Sequence, residues 1–84
     1  MFGIRLKELR TEKGLSQKKL AEFLGYNQSM ICFWEKEINE PTETAIKKTA
    51  IFFNVSADYL LGLEDETGSK TYNNFGVHNG NVKF

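Results

Sequence analysis

Residues 16–36 read SQKKLAEFLGYNQSMICFWEK, and this stretch predicts two short helices separated by a tight turn. Ser16 is a good N-cap for the first helix, because its hydroxyl can accept a hydrogen bond from a backbone N–H that the helix leaves unpaired. Gly25 is expected to end this helix, since glycine readily adopts the left-handed backbone of a helix stop. Three apolar residues recur at helical spacing between them: Leu20, Ala21 and Leu24.

The second helix of the stretch is expected to begin after Asn27, another residue suited to the N-cap position. Ile31 and Trp34 are three residues apart and predict the side of this helix that faces the core. Only Gly25 and Tyr26 separate the first helix from the second cap, so the two helices must cross sharply. Such a pair can lay its second helix in a DNA groove.

The flanking sequence predicts three further helices and a change of character near the C-terminal end. A first helix is expected over residues 3–13, with Leu6 and Leu9 on its inner side. Residues 36–41 are expected to form a loop that ends in a proline. A fourth helix begins after Thr42, with Ile46, Ala50 and Phe53 inward, and a short fifth helix follows Ser56. Residues 1–63 therefore form one compact all-α domain of five helices. Residues 64–70 are polar and are expected to form a linker.

Residues 71–84, TYNNFGVHNGNVKF, are prone to β-structure. Asn79-Gly80 is a strong signal for a hairpin turn, and four apolar residues would then share one face of the hairpin: Phe75, Val77, Val82 and Phe84. A lone two-stranded hairpin is rarely stable in water. Three interpretations follow: a disordered extension, β-structure that pairs with a second copy to make a homodimer, or a segment that docks on its own domain or on another protein.

Composition excludes several classes of protein. The chain has 84 residues, a net charge of zero, one cysteine and one histidine, which leaves little for a disulfide framework, a structural zinc site or a catalytic centre. We therefore expect no enzyme activity, no metal and no cofactor. Neither a membrane span nor a signal-peptide core is evident, so the expected location is the cytoplasm. Residues 1–25 nevertheless hold six Lys or Arg against three acids, so one face can be locally basic.

Three segments of the chain carry a resemblance to a known family. They are IRLKELRTEKGLSQKKLAEFLGYNQSMICFWEKE, then EP, and then VSADYLLG, in that order and spacing. Residues 4–63 resemble the lambda-repressor/Cro-like helix-turn-helix family. The resemblance implies a compact five-helix all-α domain that binds double-stranded operator DNA, commonly as a dimer. The C-terminal β-hairpin or extended tail lies outside it.

The resemblance also implies which residues meet DNA. Gln17 would contact a phosphate, Lys36 would reach the backbone, and an ion pair between Arg10 and Glu35 would join the first helix to the third. The expected DNA-binding residues are Gln17, Lys18, Asn27, Gln28, Ser29, Cys32, Phe33 and Lys36. The Gln28 amide can bond adenine N6 and N7 together. The Phe33 ring could instead cover a thymine methyl or serve a protein partner.

Residues 37–43 depart from the family pattern. Glu37 stands where the family usually has glycine, which predicts a third helix that continues further, and Glu37, Glu40 and Glu43 would repel DNA if they approached it. The predicted function is a sequence-specific transcriptional regulator, a repressor of phage or mobile-element type. The alternative is an antitoxin-like or adaptor module that binds a protein and retains weak DNA binding.

Overall fold

The computed structural model describes residues 1–71, and within this range the chain is all-helical. The five helices are α1 (Phe2–Glu12), α2 (Gln17–Leu24), α3 (Gln28–Glu35), α4 (Glu43–Phe53) and α5 (Ala57–Leu60). The predicted all-α, five-helix class is confirmed. The predicted hairpin and its four apolar residues, Phe75, Val77, Val82 and Phe84, lie outside the described residues.

Side-chain caps set the start of four helices. In each, a side-chain oxygen of the capping residue accepts the N–H of the residue three positions on, as from Asn27 Oδ1 to Met30 at 2.9 Å. The other caps are Ser16, Thr42 and Ser56. Gly25 (φ 83°) ends α2 and Asn54 (φ 57°) ends α4, both in the left-handed region.

The core lies between α1, α2 and α3, with α4 and α5 closing it from one side. Leu6, Leu20, Ile31 and Leu60 are fully buried at its centre. Trp34 is also buried, and its ring packs edge-on against Phe2 and Tyr26, with centroids 5.7 and 5.1 Å away. Trp34 is thus a core residue, as the sequence predicted.

Helix α1 runs from Phe2 to Glu12, within one residue of the prediction at each end, but the predicted inner face of α4 was wrong. Helix α4 turns Ala45, Thr49 and Phe53 inward, while the predicted Ile46 and Ala50 are only half-buried. Burial of Thr49 leaves no unpaired hydroxyl, because the hydroxyl donates to the Ala45 carbonyl at 2.8 Å.

Residues 64–71, most of them assigned to a linker by their composition, form a hydrogen-bonded turn. The Asp65 carboxylate accepts the backbone N–H groups of Thr67 and Ser69 at 2.9 and 3.0 Å. Lys70 Nζ donates to Asp58 Oδ2 of α5 at 2.9 Å and to Glu64 Oε1 at 3.2 Å. The polar residues that suggested a linker are therefore those that fasten the turn to α5. The boundary between domain and tail stays a prediction.

Candidate nucleic-acid interface

The turn between α2 and α3 is held rigidly. The N–H groups of Gly25 and Tyr26 both donate to the Ala21 carbonyl, at 2.8 and 2.9 Å, which closes the end of α2. Lys48 from α4 reaches the same end: its Nζ lies 3.4 Å from the Leu24 carbonyl and 4.9 Å from the centre of the Tyr26 ring. The end of α2 and the Tyr26 ring are therefore held by backbone hydrogen bonds and by Lys48 of α4.

Helix α3 divides into a core face and an open face. Ile31 and Trp34 are buried, whereas the predicted contact residues Gln28, Ser29 and Phe33 are exposed. Two further contact residues, Cys32 and Lys36, belong to the same surface: Cys32 is half-buried and Lys36 is the exposed C-cap. The structure thus brings these predicted residues to one surface.

The polar side chains of this surface differ in how many hydrogen-bond donors and acceptors remain free of bonds within the described residues. Asn27 uses its side-chain oxygen on the cap of α3, which leaves its NH₂ group. The side-chain amide of Gln28 makes no hydrogen bond to any described residue, so its donor and its acceptor both face outward. Of the two, Gln28 is the better equipped to form the paired hydrogen bonds that distinguish adenine.

Arg10 and Glu35 form the predicted ion pair, and the pair is nearly buried. Arg10 Nε and Nη2 donate to the two Glu35 carboxylate oxygens at 2.6 and 3.0 Å, and Nη1 donates to the Leu15 carbonyl at 2.8 Å. The forked guanidinium satisfies both carboxylate oxygens. The two charged side chains can therefore be almost buried, with Arg10 13% and Glu35 4% exposed. This pair anchors the end of α3 to α1.

Gln17, predicted to meet a phosphate, belongs to the same network. Its Nε2 donates to Glu35 Oε1 at 3.0 Å, so one of its two amide hydrogens is used inside the protein. The other hydrogen remains for an outside acceptor. Residue spacing gave no signal of this bond, because Gln17 and Glu35 lie on different helices.

Glu37 corrects the expectation of a longer third helix. Helix α3 ends at Glu35, and Glu37 adopts φ 62°, a left-handed conformation that favours glycine. Its carboxylate accepts hydrogen bonds from the Met1 ammonium and from the Ile4 N–H, each at 3.0 Å. The ammonium holds the pKa of Glu37 below its usual value, the Ile4 N–H acts in the same direction, and partial burial opposes both. The charge of Glu37 is therefore compensated by the start of α1.

Several cations near this surface are committed to the fold. Arg5 stacks on Tyr59, 4.1 Å from the ring centre, and donates to the carbonyls of Tyr59 and Glu64. Lys19 lies 3.6 Å from Glu22. Lys18 and Lys36 are exposed, and neither pairs with an acid among the described residues. Phosphate attraction at this surface therefore depends on few side chains.

Residues 1–71 show no sign of two other kinds of site. No group of His, Cys, Asp or Glu is arranged there to hold a metal ion. No helix in the same range is long and apolar enough to cross a membrane.

Residues 6–60 match the helix-turn-helix family. Among curated proteins, the chain is 41% identical over 61 residues to the SPbeta prophage-derived uncharacterized HTH-type transcriptional regulator YonR of Bacillus subtilis (strain 168), an alignment that covers 73% of this chain and 56% of YonR. The chain spans about half the length of the curated relatives it matches first.

Two solved structures share the fold. One is the P22 c2 repressor in complex with the synthetic operator 9T, with a TM-score of 0.68, 25% identity, and coverage of 71% of this chain and 91% of that one. The other is SinR, the master regulator for biofilm formation, in complex with DNA, with a TM-score of 0.67, 34% identity, and coverage of 73% and 98%. The matched region contains all of α2 and α3, and the chain belongs to the helix-turn-helix family.

Proposed function

We propose that the chain is a sequence-specific DNA-binding transcriptional regulator that reads the major groove of an operator with α3. The observation that carries the proposal is the open face of α3, where Gln28 offers an unused amide on a helix fixed by Arg10–Glu35 and by the closed turn. Base-specific contacts require such preorganised polar groups. The P22 c2 repressor and SinR, which share this fold, are both seen bound to DNA.

We propose further that the regulator is a repressor of phage or mobile-element type. YonR, which is prophage-derived, and the P22 c2 repressor support this choice. The proposed contacts divide into two groups. Lys18, Lys36 and the second Gln17 hydrogen would meet phosphates, whereas the base readers would be Asn27, Gln28, Ser29, Cys32 and Phe33.

The test begins with selection of bound sites from random duplex DNA, followed by fluorescence anisotropy on the selected site. We expect Gln28→Ala to lose about 1–3 kcal/mol of discrimination at one adenine while binding to unrelated DNA is unchanged. Thr44→Ala is the matched control, because Thr44 is exposed on α4 and is not among the proposed contact residues. Failure to enrich any site, even at low salt, would remove the proposal.

We propose that the regulator acts as a homodimer through the tail residues Phe75, Val77, Val82 and Phe84. Two copies would then occupy half-sites about one helical turn apart. Truncation after Thr71 preserves the turn over 64–71, in which Thr71 N–H donates to the Leu63 carbonyl at 2.9 Å. Analytical ultracentrifugation should show a dimer for the whole chain and a monomer for the truncated one. An undiminished dimer would place the contact elsewhere.

One observation favours the alternative of a protein-binding adaptor or antitoxin-like module. Phe33 and Ile38, at the end of α3 and just beyond it, are 41% and 63% exposed. A pair of large apolar residues at this place suits a protein partner as well as a thymine methyl. If Phe33→Ala leaves the selected DNA site unchanged, Phe33 does not read bases. That result would favour the interpretation of the chain as a protein-binding adaptor.

A further inference from the structure

An exposed apolar surface lies between α2 and α4 and serves no part of the proposed DNA interface. The Phe23 ring, from α2, stacks on the Phe52 ring, from α4, with centroids 5.4 Å apart and planes inclined by 28°. Phe23 is 57% exposed, and the neighbouring Ile51 is 80% exposed. We call Phe23, Ile51 and Phe52 the aromatic ledge.

Phe52 packs against the core beside Phe53, but the fold does not require the two more exposed members of the ledge, Phe23 and Ile51, to be apolar. Helix α2 already buries Leu20, Ala21 and Leu24 in the core, and Phe53 fills the same role for the end of α4. Phe23 and Ile51 leave much of their side-chain area in water. A lysine or glutamate at either position would therefore cost the fold little stability. Contiguous exposed apolar residues on a small domain mark a contact surface.

The ledge is also separate from the surface offered to DNA. Phe23 lies near the C-terminal end of α2, whereas Gln17 begins that helix beside Glu35. Six residues at 100° each place Phe23 on a different face of α2, about 120° around the helix from Gln17 by the shorter way. An occupant of the ledge therefore need not compete with DNA for α3.

We propose that residues 72–84 of the chain dock on the aromatic ledge. The chemistry of the segment matches the surface: Phe75, Val77, Val82 and Phe84 are spaced so that a β-strand places each pair on one face, the segment holds no Asp or Glu, and His78 and Lys83 are its only basic side chains. Such a segment needs an apolar surface to cover, since a two-stranded hairpin alone is not stable in water.

The reach of the segment is sufficient from its fixed starting point. The Thr71 N–H donates to the Leu63 carbonyl at 2.9 Å and its hydroxyl to the Gly62 carbonyl at 2.8 Å, so the segment departs from the end of α5. Thirteen residues extend to roughly 43 Å. A domain of this length is about 30 Å across, so the ledge of the same copy and that of a second copy are both within reach.

Hydrogen–deuterium exchange of the whole chain, read by mass spectrometry over residues 72–84, tests the docking. In the unaltered chain we expect this segment to exchange at least about tenfold more slowly than a synthetic peptide of the same sequence. Phe23→Lys and Ile51→Lys should each restore the rate of the peptide. Ile38→Lys is the matched control, because it places the same charge on an exposed apolar residue outside the ledge, and it should leave the protection unchanged.

Two results would overturn the proposal: exchange at the rate of the free peptide in the unaltered chain, or protection that survives both ledge substitutions. Circular dichroism verifies that each variant is folded, and Ile51→Lys is the safer of the two because Ile51 is 80% exposed. Protection at concentrations where ultracentrifugation finds a monomer places the segment on its own copy, whereas protection that appears only as the dimer forms places it on a second copy. Either supports the docking, and only the first removes the tail-mediated homodimer proposed above. The outcome is independent of DNA binding.

Discussion

At the scale of single residues, Gly3 sets how closely α1 approaches α3. A Cβ at this position would lie 1.8 Å from the Trp34 carbonyl oxygen, a distance that no side-chain rearrangement can relieve. We expect Gly3→Ala to cost about 3 kcal/mol, the upper end of the usual range for overpacking, because α1 must move away from the end of α3. Gly14→Ala is the control: its Cβ meets nothing within 4 Å, and only its φ of +69° is unfavourable, at about 1–2 kcal/mol. Urea unfolding measures both, and equal losses would contradict the argument.

Glu37 combines an unfavourable backbone with a favourable charge, and pH separates the two. Because its folded pKa lies below the ordinary value, its carboxylate stabilises the fold at neutral pH, and this contribution is lost as the pH falls through the lowered pKa. The pair with Met1 is exposed, so it is worth less than about 1 kcal/mol. Glycine at this position would relieve the left-handed φ of 62°.

We therefore expect Glu37→Gly to gain stability relative to the unaltered chain as the pH drops from about 7 to about 3. Urea midpoints of the two proteins at both pH values provide the measurement. Glu40→Gln serves as the control, because Glu40 is exposed and forms no ion pair with another described residue. A stability difference that does not change with pH would show that the carboxylate contributes nothing.

At the scale of the elements, the starts of the helices could be predicted from the sequence, but the buried side of a helix was harder to predict. Ser16, Asn27, Thr42 and Ser56 cap their helices as predicted, because capping depends on residues adjacent in sequence. The inward side of α4 was misjudged, since burial of Thr49 depends on a hydroxyl bond that hydrophobic spacing does not reveal. The bond from Gln17 to Glu35 and the conformation of Glu37 depend on contacts between elements, which one sequence does not display.

The ion pair of Arg10 with Glu35 joins α1, α2 and α3, so its loss should affect the whole domain. Arg10→Ala leaves the Glu35 carboxylate, 4% exposed, without its cation, and we expect a loss of about 3–5 kcal/mol in urea unfolding. Replacement of both residues, Arg10→Met with Glu35→Leu, should cost less, because no unpaired charge remains.

Lys47→Ala is the comparison for an exposed pair. It breaks the contact with Glu43 at 3.5 Å, where both side chains are more than two-thirds exposed, and should cost less than about 1 kcal/mol. If Arg10→Ala costs no more than Lys47→Ala, the buried pair is not the anchor of α3.

At the scale of the whole molecule, the charge available to DNA is smaller than the sequence suggested. Six of the first 25 residues are Lys or Arg, but Arg5 and Arg10 are consumed by contacts within the fold, and Lys19 lies beside Glu22. The acidic residues of the loop are partly offset too, because Glu37 faces the Met1 ammonium and Glu43 pairs with Lys47. The proposed regulator should therefore owe more of its affinity to base contacts and to assembly than to phosphate attraction.

This balance predicts a weak dependence of operator binding on salt. If Lys18 and Lys36 are the phosphate-neutralising side chains of each protomer, the slope of log K against log salt is about −2 per protomer and about −4 for two. Lys18→Ala should weaken binding to all sequences alike and reduce the slope by about 1 per protomer, whereas Gln28→Ala should relax the preference at one adenine and leave the slope as it was. Lys47→Ala removes a cation from α4 instead and should alter neither. Titrations of selected and scrambled duplexes over a range of salt separate these effects, and a slope much steeper than about −4 would mean that further cations, such as the exposed Lys7 and Lys13, also meet phosphates.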